Sequence, residues 1–462
     1  MEIPALLLGE AEHSLEKRCL KGINEIPIAN VEHVPGLIIA KTISEQRQTY
    51  QRFNVDLLIK IIKEAGNILI TEDLNGQSKV DYYHQFVSAT GLPVRVAVEG
   101  LNVLSKKMQN IDSIIINEVP YQSVTGLDNG VFENNGRYLS AAPYGKILGT
   151  ILPSNHPGVN ISWITALALK YSVVLKPGKD DPFTPYRVVS SLLKAGLPPW
   201  LISMIPTDHE NISKVIQLCD KTVFYGNRES VNFYESNRII PRASGNSKIY
   251  IDLEQYNKNA LIGQMVIQSI IDGGGRRCTN ASSIIVKGDA TEFAHKLSKQ
   301  MNFNFLDPHL PEAVLGCFKQ PEQAAKINDF IEERMVDAED VTSKILRNNR
   351  LQEQNGYTFL RPTVILCKTA NAPLYGQELS FPFVTIVQAS NDLDFQLSNS
   401  LAVSLFTEDE EIVNQCITNP SISKVIRNAP TFSEEIGDPH DGFLFPNLYK
   451  IKSFYQQKLQ VS

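Results

Sequence analysis

In "NVDLLIKIIKEAGNILI" (residues 54–70) apolar positions recur every three or four residues, which predicts an amphipathic helix. Residues from about 45 to 112 read as helical. A turn-rich stretch follows, "YQSVTGLDNGVFENNGRYLSAAP" (121–143), where Asp-Asn-Gly and Asn-Asn-Gly favour hairpins. From Gly145 the pattern turns regular. Short apolar runs at 145–153, 172–177, 201–206 and 221–226 predict strands. Helical periodicity fills 160–171, 184–196, 209–219 and the stretch around 229–237. This alternation predicts a parallel sheet covered on both faces.

A second run begins near Ser247. Strands are expected at 247–253, 282–288, 363–368, 383–388, 402–406 and 423–428, with helices at 260–271 and 291–301. The fold class is therefore α/β, with two parallel-sheet domains. Such sheets bind ligands beyond the carboxyl ends of their strands. Neither run opens with GxGxxG, so a dinucleotide would have to be held by other means.

Composition narrows the function classes. With 43% hydrophobic and 20% charged residues, the 462-residue chain reads as an ordinary globular protein of two to four domains. A formal charge of −6 supplies no basic field, which argues against a nucleic-acid partner. The longest apolar stretch, 161–175, is shorter than the ~20 residues a membrane span needs and contains Lys170. "MEIPALLLGEAEHS" lacks the basic start of a signal peptide. The expected setting is cytoplasmic, with no membrane partner. Six cysteines stand singly, without CxxC or Cys/His clustering, so no metal site is expected.

One cysteine stands apart. "DGGGRRCTNASS" (272–283) places Cys278 behind three glycines and two arginines, in a loop leading into a strand. A thiolate there could add to a carbonyl, since glycine backbone admits a substrate closely and neighbouring cations favour ionisation.

Five segments, in order, resemble the aldehyde dehydrogenase superfamily from about residue 45 to 450. They are "PYGKILGTILPSNHP" (143–157), "VVLKPGKDDPFTP" (173–185), "KAGLPPWLISMIP" (194–206), "GRRCTNASSIIV" (275–286) and "GQELSFPFVTIV" (376–387). The resemblance implies a dinucleotide-binding domain (1–114 and 143–246) and a catalytic domain (247–440). It also implies a small β oligomerisation arm (115–142 and 441–462), and with it a homodimer.

The resemblance also implies roles. Cys278 would be the nucleophile, and Asn155 with the Cys278 backbone N–H would bind the oxyanion. Pro153, Ser154, Lys176, Pro177, Lys179 and Gly226 would line the cofactor site, and Glu378 would hold the nicotinamide ribose. Lys179 stands where enzymes preferring NAD usually carry an acid, so NADP is expected to be used well alongside NAD. Asn227 replaces a serine after Gly226. The general base aligns with Asp252 in "YIDLEQYNK", with Glu254 on the same strand face if the strand continues. The double glycine of the family is missing there, and the spacing to Cys278 is about eight residues short.

Three functional readings follow. An aldehyde is oxidised to an acid through a thiohemiacetal and thioester on Cys278, with water activated by Asp252 or Glu254. Alternatively a thiol such as coenzyme A or a carrier's pantetheine takes the acyl group, a reaction that run backwards reduces an acyl thioester. In the third, the chain is a non-catalytic relative. Trp163, Phe305 and Phe381 could line a substrate tunnel, but core packing is the preferred use of each. No histidine has a partner in the sequence that marks it as catalytic.

Overall fold

The computed structural model describes residues 1–13, 15–226, 233–234, 236–242 and 245–456. The helix expected around 229–237, and Asn227, lie largely or wholly outside them.

The first half of the expected helical region forms as the periodicity requires. Helix Val55–Thr71 buries Val55, Leu58, Ile61, Ile62, Ala65, Ile68 and Leu69 on one stripe, and the Asn54 side chain caps it by accepting from Leu57 N at 3.0 Å. That stripe packs against helix Val94–Gln109 and helix Phe183–Lys194, closing the largest apolar core.

Two seven-stranded sheets carry most of the rest. In the first, Ile239–Arg242, Lys221–Tyr225, Ile147–Ile151, Ser172–Lys176 and Ile202–Met204 run parallel in that spatial order. Strands Ala5–Leu7 and Glu10–Glu12 extend it antiparallel, an N-terminal addition absent from the sequence expectation. The chain moves one way from Ile147–Ile151 and returns on its other side with Lys221–Tyr225. That reversal leaves a crevice at the carboxyl ends of these two strands, where Pro153–Asn155 and Gly226 lie.

The second sheet has the order Ala338–Asp340, Thr363–Cys367, Phe383–Gln388, Ala281–Lys287, Ser247–Asp252, Ser400–Phe406, Ile422–Arg427. All neighbours are parallel except Ala338–Asp340 with Thr363–Cys367. Ser247 pairs with Ala281 and Asp252 with Lys287, so Cys278 lies at the Ser247 end and Asp252 at the opposite end.

A third sheet joins Val131–Asn134, Arg137–Pro143 and Tyr449–Phe454, all antiparallel. The expected hairpin begins later than 115. Residues Ile111–Glu118 and Gly126–Asn129 are helical, because Ile111, Ile115 and Leu127 are buried inward at helical spacing. The boundary at 440/441 also shifts in meaning, since residues 441, 442 and 444 line the same cleft as Cys278. Trp163, Phe305 and Phe381 are buried in the cores and line neither of the two cavities described below.

Candidate active site

Helix Ala260–Ile271 runs into the glycine loop, which the sequence bends in one place. Gly273, Gly274 and Gly275 all have φ between +60° and +74°, a left-handed run that side-chain-bearing residues resist. A Cβ on Gly275 would also meet Pro382 N at 2.4 Å. Asn280 then pins the turn: its Oδ1 accepts from Arg277 N at 2.7 Å, and its Nδ2 donates to Ser269 O and Asp272 O. Ser247 Oγ donates to Cys278 O at 3.0 Å. Beside it, Gly245 has no room for a side chain, since a Cβ would fall 1.7 Å from Cys278 O. The cysteine backbone is therefore held from both sides, with its side chain partly exposed.

The two arginines do not face the thiol as cations. Arg276 donates to the carbonyls of Ser380, Thr90 and Cys317, tying the loop to the helical region. Arg277 pairs with Asp272 and lies over the Phe432 ring.

Cys278 opens into a cleft of about 600 Å³. Asn155 lines it and donates from Nδ2 to Arg276 O at 2.9 Å, while its Oδ1 is buried without a partner among the described residues. The amide carries a second N–H that this bond does not use. Glu378 lines the cleft and accepts from Asn246 N. A second cavity of about 510 Å³ contains Lys176, Lys179 and His209. Pro153, Ser154, Tyr225 and Gly226 line both, so the two spaces adjoin at the sheet's reversal point. Lys176 is buried, and burial pushes its pKa down. Lys179 is exposed. No carboxylate lines this second cavity among the described residues. Pro177 is buried and lines neither space.

Asp252 is not in the cleft. It lies five positions along the strand from Ser247, about 16 Å at ~3.3 Å per residue. Its carboxylate caps helix Leu253–Lys258 through Glu254 N at 3.0 Å and pairs with Lys287 at 3.2 Å. Glu254 is on that helix, exposed and paired with Lys258. The expectation that either activates water for Cys278 is therefore corrected: the strand ends at Asp252, at the far end of the sheet from Cys278.

A histidine that no sequence motif marks stands beside the thiol instead, with a glutamate behind it. His440 Nε2 lies 3.5 Å from Cys278 Sγ, and its Nδ1 lies 3.5 Å from Glu434 Oε2. Glu434 also receives Lys424 Nζ at 2.8 Å and Lys107 Nζ. Burial opposes both charges. The bonds to Cys278 and Glu434 nonetheless raise His440 to about 9, while His440, Lys107 and Lys424 hold Glu434 well below the usual carboxylate range. His156 is the contrast. Burial, with Arg277 and Lys107 nearby, keeps its imidazole well below 6.5, and Nδ1 accepts from Gly158 N at 3.0 Å. Further along the cleft, Arg242 pairs with Asp441. The only signal for His440 in the sequence was a histidine among acids in "EEIGDPHDGF", a turn-rich loop 162 residues from Cys278.

The profile of the aldehyde dehydrogenase family matches residues 116–444, which include both the glycine-cysteine loop and the His440 loop. The chain belongs to the aldehyde dehydrogenase family. It is 25% identical over 321 residues to the 2,5-dioxopentanoate dehydrogenase of Saccharolobus solfataricus, spanning 64% of this chain and 65% of that one. It is 23% identical over 268 residues to the malonate-semialdehyde dehydrogenase 1 of Geobacillus kaustophilus, spanning 55% and 54%. The match thus covers between half and two thirds of these relatives. An aldehyde dehydrogenase from Bacillus cereus superposes with a TM-score of 0.80 over 98% of this chain and 96% of that one, at 17% identity. That likeness confirms the fold: two α/β domains with parallel sheets. No helix among the described residues is long and apolar enough to cross a membrane.

Proposed function

We propose that this member of the family oxidises an aldehyde to a carboxylic acid, with NAD or NADP as cofactor, through a thioester on Cys278. The observation that carries the reading is the seat of Cys278, on a loop pinned by Asn280 and Ser247 at the wall of a cleft that adjoins a second, cation-lined cavity. When bound, the nicotinamide cofactor supplies the acceptor for the hydride leaving the substrate carbon. The chain's own residues do the rest. The Cys278 sulfur forms a bond to the aldehyde carbon, and the unused N–H of Asn155 with the Cys278 backbone N–H stabilises the oxyanion. Donors of this kind lower a barrier by roughly 3–4 kcal/mol each.

The residues fit a dinucleotide. Lys176 would hold the adenosine ribose, and Lys179, with no acid lining its cavity, would pair with a 2′-phosphate and favour NADP. Pro153, Ser154 and Gly226 would flank the cofactor where the cavities meet, and Glu378 would meet the nicotinamide ribose. Pro177, buried under the strand end, would shape that turn from below. The six unpaired cysteines support a cytoplasmic setting. The open edge of strand Tyr449–Phe454, with Ile451 45% and Phe454 39% exposed, supports a homodimer.

The test is reduction of each cofactor with a panel of aldehydes, with and without a thiol acceptor, in the native protein and in Cys278→Ala. Cys278-dependent reduction without thiol is expected. A strict thiol requirement would instead make the chain an acylating enzyme, and no reduction with any aldehyde would end the reading.

A further inference from the structure

We propose that His440, oriented by Glu434, is the catalytic acid–base group of this site: it takes the proton of Cys278 and later that of the water that releases the acyl group. The proposal deepens the reading of Cys278 as nucleophile and rests on it.

The geometry is a three-member relay. Cys278 Sγ lies 3.5 Å from His440 Nε2, and Nδ1 of the same ring lies 3.5 Å from Glu434 Oε2. Two lysines from different elements, Lys107 on helix Val94–Gln109 and Lys424 on strand Ile422–Arg427, fix the carboxylate. A base must come within hydrogen-bond reach of its proton, directly or through one water, with a third group orienting it. Other carboxylates line the cleft: Glu118, Glu378, Glu435, Asp438 and Asp441. Glu118 accepts from Phe445 N, Glu378 from Asn246 N and Asp438 from Glu435 N, and Asp441 pairs with Arg242. Glu434 is the carboxylate that bonds the histidine in contact with the thiol.

The steps balance. The S–H proton moves to Nε2, leaving thiolate and imidazolium, and the thiolate forms the C–S bond. The C=O electron pair moves to oxygen, the C–H bond breaks as hydride leaves for the acceptor the bound cofactor would supply, and the acyl group stays on sulfur. The imidazolium, no longer beside a thiolate, then releases its proton to solvent. The neutral imidazole then takes a proton from water as the C–O bond forms. The tetrahedral adduct collapses with cleavage of the C–S bond, the electron pair returns to Sγ, and the acid product loses its proton to solvent.

The experiment uses p-nitrophenyl acetate, which acetylates a thiol without cofactor or aldehyde. Native protein should release nitrophenolate continuously, and intact-mass measurement should show little acetylated Cys278. His440→Gln should remain acetylated on Cys278, with deacetylation at least 100-fold slower. Iodoacetamide labelling of Cys278, read by peptide mass at pH 6.5, should slow at least tenfold in the same variant. If His440→Gln does not fold, Glu434→Gln decides by the same readings, with a loss of at least tenfold in deacetylation. Deacetylation and labelling at native rates in a folded variant overturn the proposal. Histidine-dependent deacetylation without any aldehyde oxidation would instead overturn only the aldehyde reading.

Discussion

His440 Nε2 faces Cys278 Sγ at 3.5 Å across the cleft, although 162 residues separate them in the chain. The pair has a thermodynamic signature. A histidine raised to about 9 in the folded state contributes stability that is complete below its ordinary value near 6.5 and disappears as pH rises through 9. The groups facing it are Cys278, Glu434 with Lys107 and Lys424 behind it, and His156, which in turn has Arg277 near it. With its side chain 41% exposed, the contribution is screened by solvent. The melting-temperature gap between native protein and His440→Gln should be widest at pH 6 and close by pH 9.5. Differential scanning fluorimetry at constant ionic strength measures it, and a gap independent of pH would contradict a raised His440.

Asp252→Asn should leave steady-state turnover within twofold of native. Asparagine caps a helix as well as aspartate does, and the surface pair with Lys287 is worth at most about 1 kcal/mol. Loss of turnover by two orders of magnitude would return Asp252 to the chemistry.

Asn155→Ala should lower kcat by roughly 100- to 1,000-fold with KM changed only a few-fold, as expected of a donor used in the transition state. Its lost bond to Arg276 O should cost about 1 kcal/mol in urea unfolding. A KM effect with kcat preserved would assign Asn155 to binding alone.

Lys179→Glu should weaken NADP at least tenfold while NAD holds or tightens. Lys179 is exposed at the rim of the second cavity, so its replacement leaves the fold intact. Titration of both dinucleotides by quenching of intrinsic fluorescence reads it. Equal affinities in native protein and variant would move selectivity elsewhere.

Much of this molecule was legible because its elements are locally encoded. Helix Ala260–Ile271 and strand Phe383–Gln388 fall where periodicity put them. Five short segments in order were enough to recognise the family and to single out Cys278. What failed was the link between segments. Asp252 was matched by its position in a motif, yet the register of Ser247–Asp252 beside Ala281–Lys287 sends its carboxylate to the far end of the sheet. Asp-Asn-Gly in "LDNG" suggested a hairpin, but with Leu127 buried that stretch forms the single helical turn Gly126–Asn129.

Local patterning set the periodicities, the glycine run that only a left-handed turn needs, and the one cysteine behind it. The tertiary structure alone decided which base that cysteine meets. Hydrophobic patterning encodes which face of an element is buried, and this is a local property. The approach of His440 and Glu434 to Cys278 depends on how the loop after strand Ile422–Arg427 returns over helix Val94–Gln109, where Lys107 and Lys424 meet one carboxylate. Packing of the whole chain sets that distance, and spacing along the chain carries no trace of it.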